Sequence, residues 1–221
     1  MGHVNLIIAT PGHSVMAAYL KSLLAATQEL NKRGISWAFS QEYSSHVADA
    51  REMTLNGDND NDPGESRPFK GAITYDKILW IDSDIMFTPE DVIRAYESDY
   101  DVVSGAYTLA SGEVVAYKEL FGQGMTINEV KEMKEPIKIF GAGMGFFCVK
   151  SGIFESLSRP WFQSVPGTKV YQGKEFTFPI MGEDLSLCKR INDAGFEIYL
   201  DPEIKLIHHK TFKLTWEGLA L

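Results

Sequence analysis

The sequence predicts an α/β domain with a central, mostly parallel mixed sheet flanked by helices, and three observations carry that expectation. The chain opens strand–helix–strand–helix, the start of a nucleotide-binding type of sheet. A short apolar run, Lys77-Ile78-Leu79-Trp80-Ile81, reads as a buried strand and breaks off abruptly into Asp82-Ser83-Asp84. The composition, 44% hydrophobic and 23% charged over 221 residues, supplies one sizeable core, and no low-complexity linker divides it.

Val4–Ala9 is the first buried strand. Thr10-Pro11-Gly12-His13-Ser14 then breaks the chain and ends in an N-cap serine. From Ser14 to Arg33 the residues Val15, Tyr19, Leu23, Leu24 and Leu30 recur at helical spacing, and Gly34 supplies the stop. Ile35–Ser40 is a second strand, and Ser44 or Ser45 caps a second helix through Leu55. Asn56–Gly71 has turn chemistry without periodicity. Asp58, Asp60 and Asp62 alternate there as at the start of an EF-hand. Pro63 stands where that loop needs glycine and Phe69 where it needs glutamate, so a surface loop is expected instead.

Beyond Asp84, Thr88-Pro89-Glu90-Asp91 is an N-cap, an N1 proline and the acidic first turn of a helix reaching about Tyr96. Asp101–Ser104 is a short strand. Residues 108–136 are weakly patterned, as in a substrate loop or lid or in plain irregular structure. Gly141-Ala142-Gly143-Met144-Gly145 leads into the strand Phe146–Val149, and its glycines allow close approach to a ligand or a sharp bend. Ser151–Leu157 is a short helix. Pro160-Trp161-Phe162 and Phe176-Thr177-Phe178-Pro179 suit either a core or a binding platform. Gly182-Glu183-Asp184 opens a last helix with Leu185, Leu187, Cys188 and Ile191 on its apolar face, stopped by Gly195. Strands at Phe196–Leu200 and Ile204–His208 close the pattern, followed by His209.

A net charge of −9 argues against a general nucleic-acid binder, which would carry a basic stripe. It leaves room for a phosphate-bearing substrate, since a metal supplies positive charge locally. Cys148 and Cys188 sit in apolar contexts without metal-ligand spacing and read as small core residues of a reducing compartment. The apolar N-terminal run lacks a basic leader and is too short for a membrane span, so a cytoplasmic protein without membrane passage is expected.

Asp-x-Asp at a strand end turns two hard oxygen ligands toward the crevice where open α/β sheets bind ligands, and carboxylate oxygens suit Mn²⁺ or Mg²⁺ shared with substrate phosphates. There is neither a P-loop nor a Gly-x-Gly-x-x-Gly turn, so a nucleotide would have to rest on the Thr10–Gly12 backbone and the loop that follows. Arg51, in the second helix, is either the cation that reaches a phosphate or a solvated charge on the helix's outer face. Two acids and a histidine at element ends fit a shared metal and base site.

In their shared order, Ile81-Asp82-Ser83-Asp84, Gly141-Ala142-Gly143-Met144-Gly145-Phe146, Pro160-Trp161-Phe162, Gly182-Glu183-Asp184-Leu185 and Ala194-Gly195-Phe196 resemble a GT-A-fold glycosyltransferase of the family 2-like bacterial or viral type. The resemblance spans roughly Val4 to His209. It implies a single GT-A domain over 1–221, with about 1–105 as the nucleotide-binding half and about 106–221 as the acceptor and sugar half. It implies transfer of a sugar from a nucleotide-diphosphate donor, a UDP-sugar preferred, to a glycan or other hydroxyl acceptor, in glycan synthesis. Asp82 and Ser83 would lie near the ribose. Asp82, Asp84 and His208 would hold Mn²⁺ or Mg²⁺, with His209 as the substitute ligand. Thr10, Pro11 and Gly12 would frame the base, Arg51 would lie near the base or diphosphate, and Gly143 near the donor sugar. Asp184 would be the base and Glu183 its neighbour, with inversion favoured.

A helix N-terminus favours the anionic form of Asp184, which would keep it ready to accept a proton. Three alternatives remain. A haloacid-dehalogenase-like phosphatase also places Asp-x-Asp after an apolar strand, but Met86 stands where it wants Thr or Val, and two strands precede this one. A sugar nucleotidyltransferase would open with a Gly-rich loop containing Arg, which Ala9 does not lead into. A nucleotide-sugar-binding module with an idle base is the non-enzymatic reading.

Overall fold

A computed structural model describes residues 2–56, 67–178, 180–210, 213–215 and 218–220. The chain runs β1 (Gly2–Ala9), α1 (Ala17–Lys32), β2 (Trp37–Ser40), α2 (Val47–Asn56), β3 (Ile73–Ile81), β4 (Ile85–Met86), α3 (Pro89–Glu97) and β5 (Val102–Ala106). It continues β6 (Glu113–Tyr117), β7 (Gly124–Thr126), α4 (Ile127–Glu132), β8 (Ile137–Ile139), β9 (Gly141–Ala142), β10 (Phe146–Lys150) and α5 (Ile153–Ser156). It then forms β11 (Gly167–Tyr171), β12 (Lys174–Phe178), α6 (Glu183–Asp193), β13 (Ile198–Lys205) and β14 (Ile207–His208).

The central sheet has the order β2-β1-β3-β10-β5-β13-β8. β2, β1, β3, β5 and β13 point one way, while β10 and the edge strand β8 run against them. Both faces are covered, which is why the strands read as continuous apolar runs rather than alternating ones. On β3, Ile78 and Trp80 join one core with Leu55, Phe154, Trp161, Leu187 and Ile191. Leu79 and Ile81 join the other, with Tyr19, Leu30, Val92 and Ile93. Helices α2, α5 and α6 therefore cover one face, and α1 and α3 the other.

Several sequence expectations meet their physical limits here. Helix α1 starts at Ala17 with Met16 as its cap, not at Ser14, because the Met16 N–H is spent on Ser83 O at 3.2 Å and holds the approach extended. Tyr19 and Leu30 are buried as expected, whereas Val15 and Leu24 face solvent and Ala26 and Thr27 take their share of the core. Thr88 caps α3 in a reciprocal capping box with Asp91. Residues 108–136 are ordered rather than irregular: β6 pairs with β7 and with β9, and α4 carries its own Thr126–Glu129 capping box.

Trp161 and Phe162 are core residues, while Phe176 is half-exposed on the β11–β12 hairpin. The expected strand Phe196–Leu200 continues through Pro202 to Lys205 as β13, with a register shift between Asp201 and Lys205, and the expected strand Ile204–His208 is divided between the end of β13 and the separate strand β14. The Asp58–Asp62 stretch and Pro179 lie outside the described residues. Cys148 and Cys188 are free and buried, and burial pushes both thiols up to about 12.

Candidate active site

The site forms at the carboxyl end of β3, where the chain leaves the sheet. Ile85 N–H donates to Asp82 O at 3.0 Å, a tight turn that sends the two aspartates to different surroundings. Asp82 turns inward. Its Oδ1 lies 3.1 Å from Arg51 Nη1. Arg51, 2% exposed, is not a solvated cation on the helix's outer face. It faces three carboxylates: besides Asp82, Asp184 Oδ1 is 3.5 Å from Nη2 and Glu183 Oε1 is 3.8 Å from Nε. The guanidinium also lies 5.9 Å from the ring centre of Trp80. Arg51 Nε and Asp184 Oδ1 are buried without a hydrogen-bond partner, so charge rather than aligned hydrogen bonds holds that side together.

Asp184 sits in the first turn of α6, and its Oδ2 accepts Met144 N–H at 3.2 Å. The helix terminus does not decide its ionisation. Burial pushes the carboxyl up to about 7, with Arg51 opposing and the Glu183 and Asp82 charges assisting. A carboxyl poised there can give or take a proton near neutral pH. It lines a small cavity of about 190 Å³ together with Glu183, Gly182, Gly143, Val115 and Tyr117.

Asp84 turns outward. Its Oδ2 lies 3.2 Å from His208 Nε2 and 2.8 Å from Lys210 Nζ. Pairing of β14 with β4 sets His208 opposite Ile85, and the His208 Nδ1 hydrogen bonds to Thr108 O at 2.9 Å. A carbonyl only accepts, so Nδ1 carries a hydrogen, and Nε2 is aimed at the Asp84 oxygen. An imidazole nitrogen and a carboxylate oxygen so placed can share either a proton or a cation, and the Lys210 ammonium already lies against the same oxygen. The donor set, one carboxylate oxygen and one imidazole nitrogen whose ring is held by the Thr108 carbonyl, fits a divalent transition metal. Among the described residues no three such side chains cluster into a complete protein cage. The structure unites Asp84 with His208 and commits one oxygen of Asp82 to Arg51. His209 contributes its N–H to Asp84 O at 2.9 Å while its side chain is exposed.

Thr10, Pro11, Gly12 and Ser83 meet at one edge of this centre. Thr10 is buried and its hydroxyl hydrogen bonds to Tyr19, and Gly12 N–H donates to Glu42 O at 2.9 Å. Gly12 has φ +133, and a Cβ there would sit 3.6 Å from Ser83 Oγ. His13 and Tyr43, with ring centres 5.0 Å apart, form an aromatic pair beside this turn that sequence patterning did not single out. Gly143 is buried and packs against Tyr107 and Val115. Tyr107 and Lys210 are the other site neighbours that sequence reading missed. Neither has a spacing or motif around it, and only the pairing of distant strands brings them in.

No family model matches the chain, and no curated protein matches it. Solved structures do. The A197 protein from STIV is 21% identical with a TM-score of 0.56, over 100% of this chain and 94% of that one. The catalytic domain of Drosophila beta1,4-galactosyltransferase 7, solved with xylobiose, is 13% identical with a TM-score of 0.51, over 96% of this chain and 72% of that one. The fold is of the GT-A type. GalNAc-T7, solved with UDP, GalNAc and Mn²⁺, is 9% identical with a TM-score of 0.53, over 93% of this chain and 43% of that one. At these identities the likeness to GT-A glycosyltransferases is one of fold, and chemistry must be argued from the residues.

Proposed function

We propose that this chain is a metal-dependent glycosyltransferase that moves a sugar from a nucleotide-diphosphate donor, a UDP-sugar in the first instance, to a hydroxyl of a glycan or similar acceptor. One observation carries the reading: a poised carboxyl, Asp184, and an outward carboxylate–imidazole pair, Asp84–His208, flank the same strand end, joined through Asp82 and Arg51. A sugar transferase needs a proton acceptor for the incoming hydroxyl beside a cation site for the leaving diphosphate.

The first half of the chain would bind the donor and the second half the acceptor. Thr10, Pro11, Gly12 and Ser83 would frame the nucleoside. Asp84 and His208 would hold Mn²⁺ or Mg²⁺, with Asp82 turned to the ribose side. The cation, when bound, offsets the charge that develops on the departing diphosphate. Asp184 would take the acceptor proton, and its small, partly closed cavity would exclude competing water, with Glu183 raising the carboxyl's proton affinity. A direct attack with Asp184 as base corresponds to inversion. A phosphatase fits less well, because its nucleophile would be Asp82, whose Oδ1 is ion-paired to Arg51.

The test is calorimetric titration of UDP, GDP and CMP with and without Mn²⁺, followed by UDP-sugar turnover. UDP binding that requires Mn²⁺, disappears in Asp84→Ala and survives Asp184→Asn, while Asp184→Asn loses turnover, is the expected pattern. Binding and no turnover in the parent protein would identify a nucleotide-sugar-binding module instead, and no binding at all would remove the donor reading.

A further inference from the structure

Tyr107 follows β5 directly and is buried. Its hydroxyl accepts the Gly145 N–H at 3.1 Å. A Cβ on Gly143 would meet that hydroxyl at 2.2 Å, and one on Gly145 would meet the phenol ring at 2.7 Å. The phenol therefore occupies the space of two absent side chains, which is why the Gly143-Met144-Gly145 turn has glycine at both ends.

The backbone of that turn grips the two inward acids. Gly145 O accepts Asp82 N–H at 3.1 Å, and Met144 N–H donates to Asp184 Oδ2 at 3.2 Å. On its other side, Tyr107 meets the His208 ring edge-on, with centres 5.4 Å apart at 88°. One phenol thus touches the histidine of the outward pair and the turn that carries both inward acids. Burial and the Asp82 and Asp184 charges hold its ionisation far above the ordinary phenol range, so it stays a neutral hydroxyl.

We propose that Tyr107 is a positioning residue that, through the Gly143–Gly145 turn, keeps Asp184 and Asp82 in register with His208; the catalytic part of this rests on the glycosyltransferase reading. The glycines of the turn are then explained by the phenol rather than by close approach of a sugar.

Tyr107→Phe removes one oxygen and keeps the ring, so it separates positioning from space-filling. In the ligand-free protein, the Met144 and Gly145 amides are expected to exchange with solvent at least about tenfold faster, since each depends on the turn the hydroxyl holds. UDP–Mn²⁺ binding is expected to stay within about twofold, while kcat for transfer falls about tenfold or more with little change in KM. The acid limb of the kcat profile should move to higher pH, because Asp184 loses the Met144 hydrogen bond that favours its anion. Unchanged amide exchange, or kcat within twofold of the parent, overturns the proposal. If the parent neither binds UDP–Mn²⁺ nor transfers sugar, the glycosyltransferase reading fails, and the amide exchange still decides whether Tyr107 holds the turn.

Discussion

Asp82 and Asp84 are two residues apart on the same strand exit, yet they live in different physical worlds. Asp82, 33% exposed, joins a cluster in which one buried arginine faces three carboxylates, over the indole of Trp80. Asp84, 30% exposed, instead faces a largely buried imidazole and a half-exposed lysine. The Arg51 charge is weakly screened, and removing it leaves its carboxylates without their buried counter-ion. The Lys210 charge is screened by solvent and is lost at little cost. Partners, not residue type or exposure, therefore distinguish the two aspartates: a buried guanidinium for Asp82, an imidazole and an exposed ammonium for Asp84.

The sharpest way to break this contrast is Arg51→Met. Loss of the one cation in the inward cluster should destabilise the fold by about 3–5 kcal/mol. The loss should be larger at pH 8 than at pH 5.5, because protonating Asp184 relieves the repulsion, and adding Asp184→Asn should recover part of it. Urea unfolding at both pH values measures this, and a small, pH-independent loss would mean that the cluster is not held by Arg51. Asp84→Ala should do the reverse. Mn²⁺-dependent UDP binding is expected to weaken by about 100-fold or more while unfolding shifts by less than about 1 kcal/mol. Equal stability losses at Asp82→Ala and Asp84→Ala would erase the distinction.

Asp184 sharpens the comparison through pH. Its folded carboxyl titrates near 7, above the ordinary carboxylate value, so between about pH 4 and pH 7 the native state binds more protons than the unfolded chain. Stability from this group should therefore fall as pH rises through that window, and turnover should rise through it as the base is uncovered. Asp184→Asn should flatten the stability slope, and a turnover limb near pH 4 instead would place the base elsewhere. The smallest effect belongs to Lys210. Its ammonium shares the Asp84 oxygen that faces His208. Lys210→Ala should tighten Mn²⁺ binding by about two- to fivefold, in line with an exposed ion pair. Weaker binding would show that Lys210 helps hold the ligand rather than competing for its site.

Much of this was legible in the chain because the signals are local. The apolar run of β3 and its aspartate exit, the Thr88-Pro89 helix start and the Glu183-Asp184 opening of α6 each follow from residues within a turn or two of one another. Strand alternation says only that His208 and His209 cannot both face one crevice, and the structure is what pairs His208 with Asp84. Ser14 was misleading because a competing backbone partner, Ser83 O, lay far along the chain. The raised proton affinity of Asp184 is not legible in the chain, because a helix terminus is visible in sequence and burial is not.

The alternation of strands and helices, the sheet-end carboxylates and the acid at the head of the last helix are readable along the chain. Those features depend on period, caps and breakers. The inward turn of Arg51, the room that Gly143 and Gly145 make for Tyr107, and the proton that Asp184 holds to near neutrality come from packing. Each of these depends on desolvation and on charges supplied by segments distant in sequence, and both are properties of the packed chain rather than of any stretch of it.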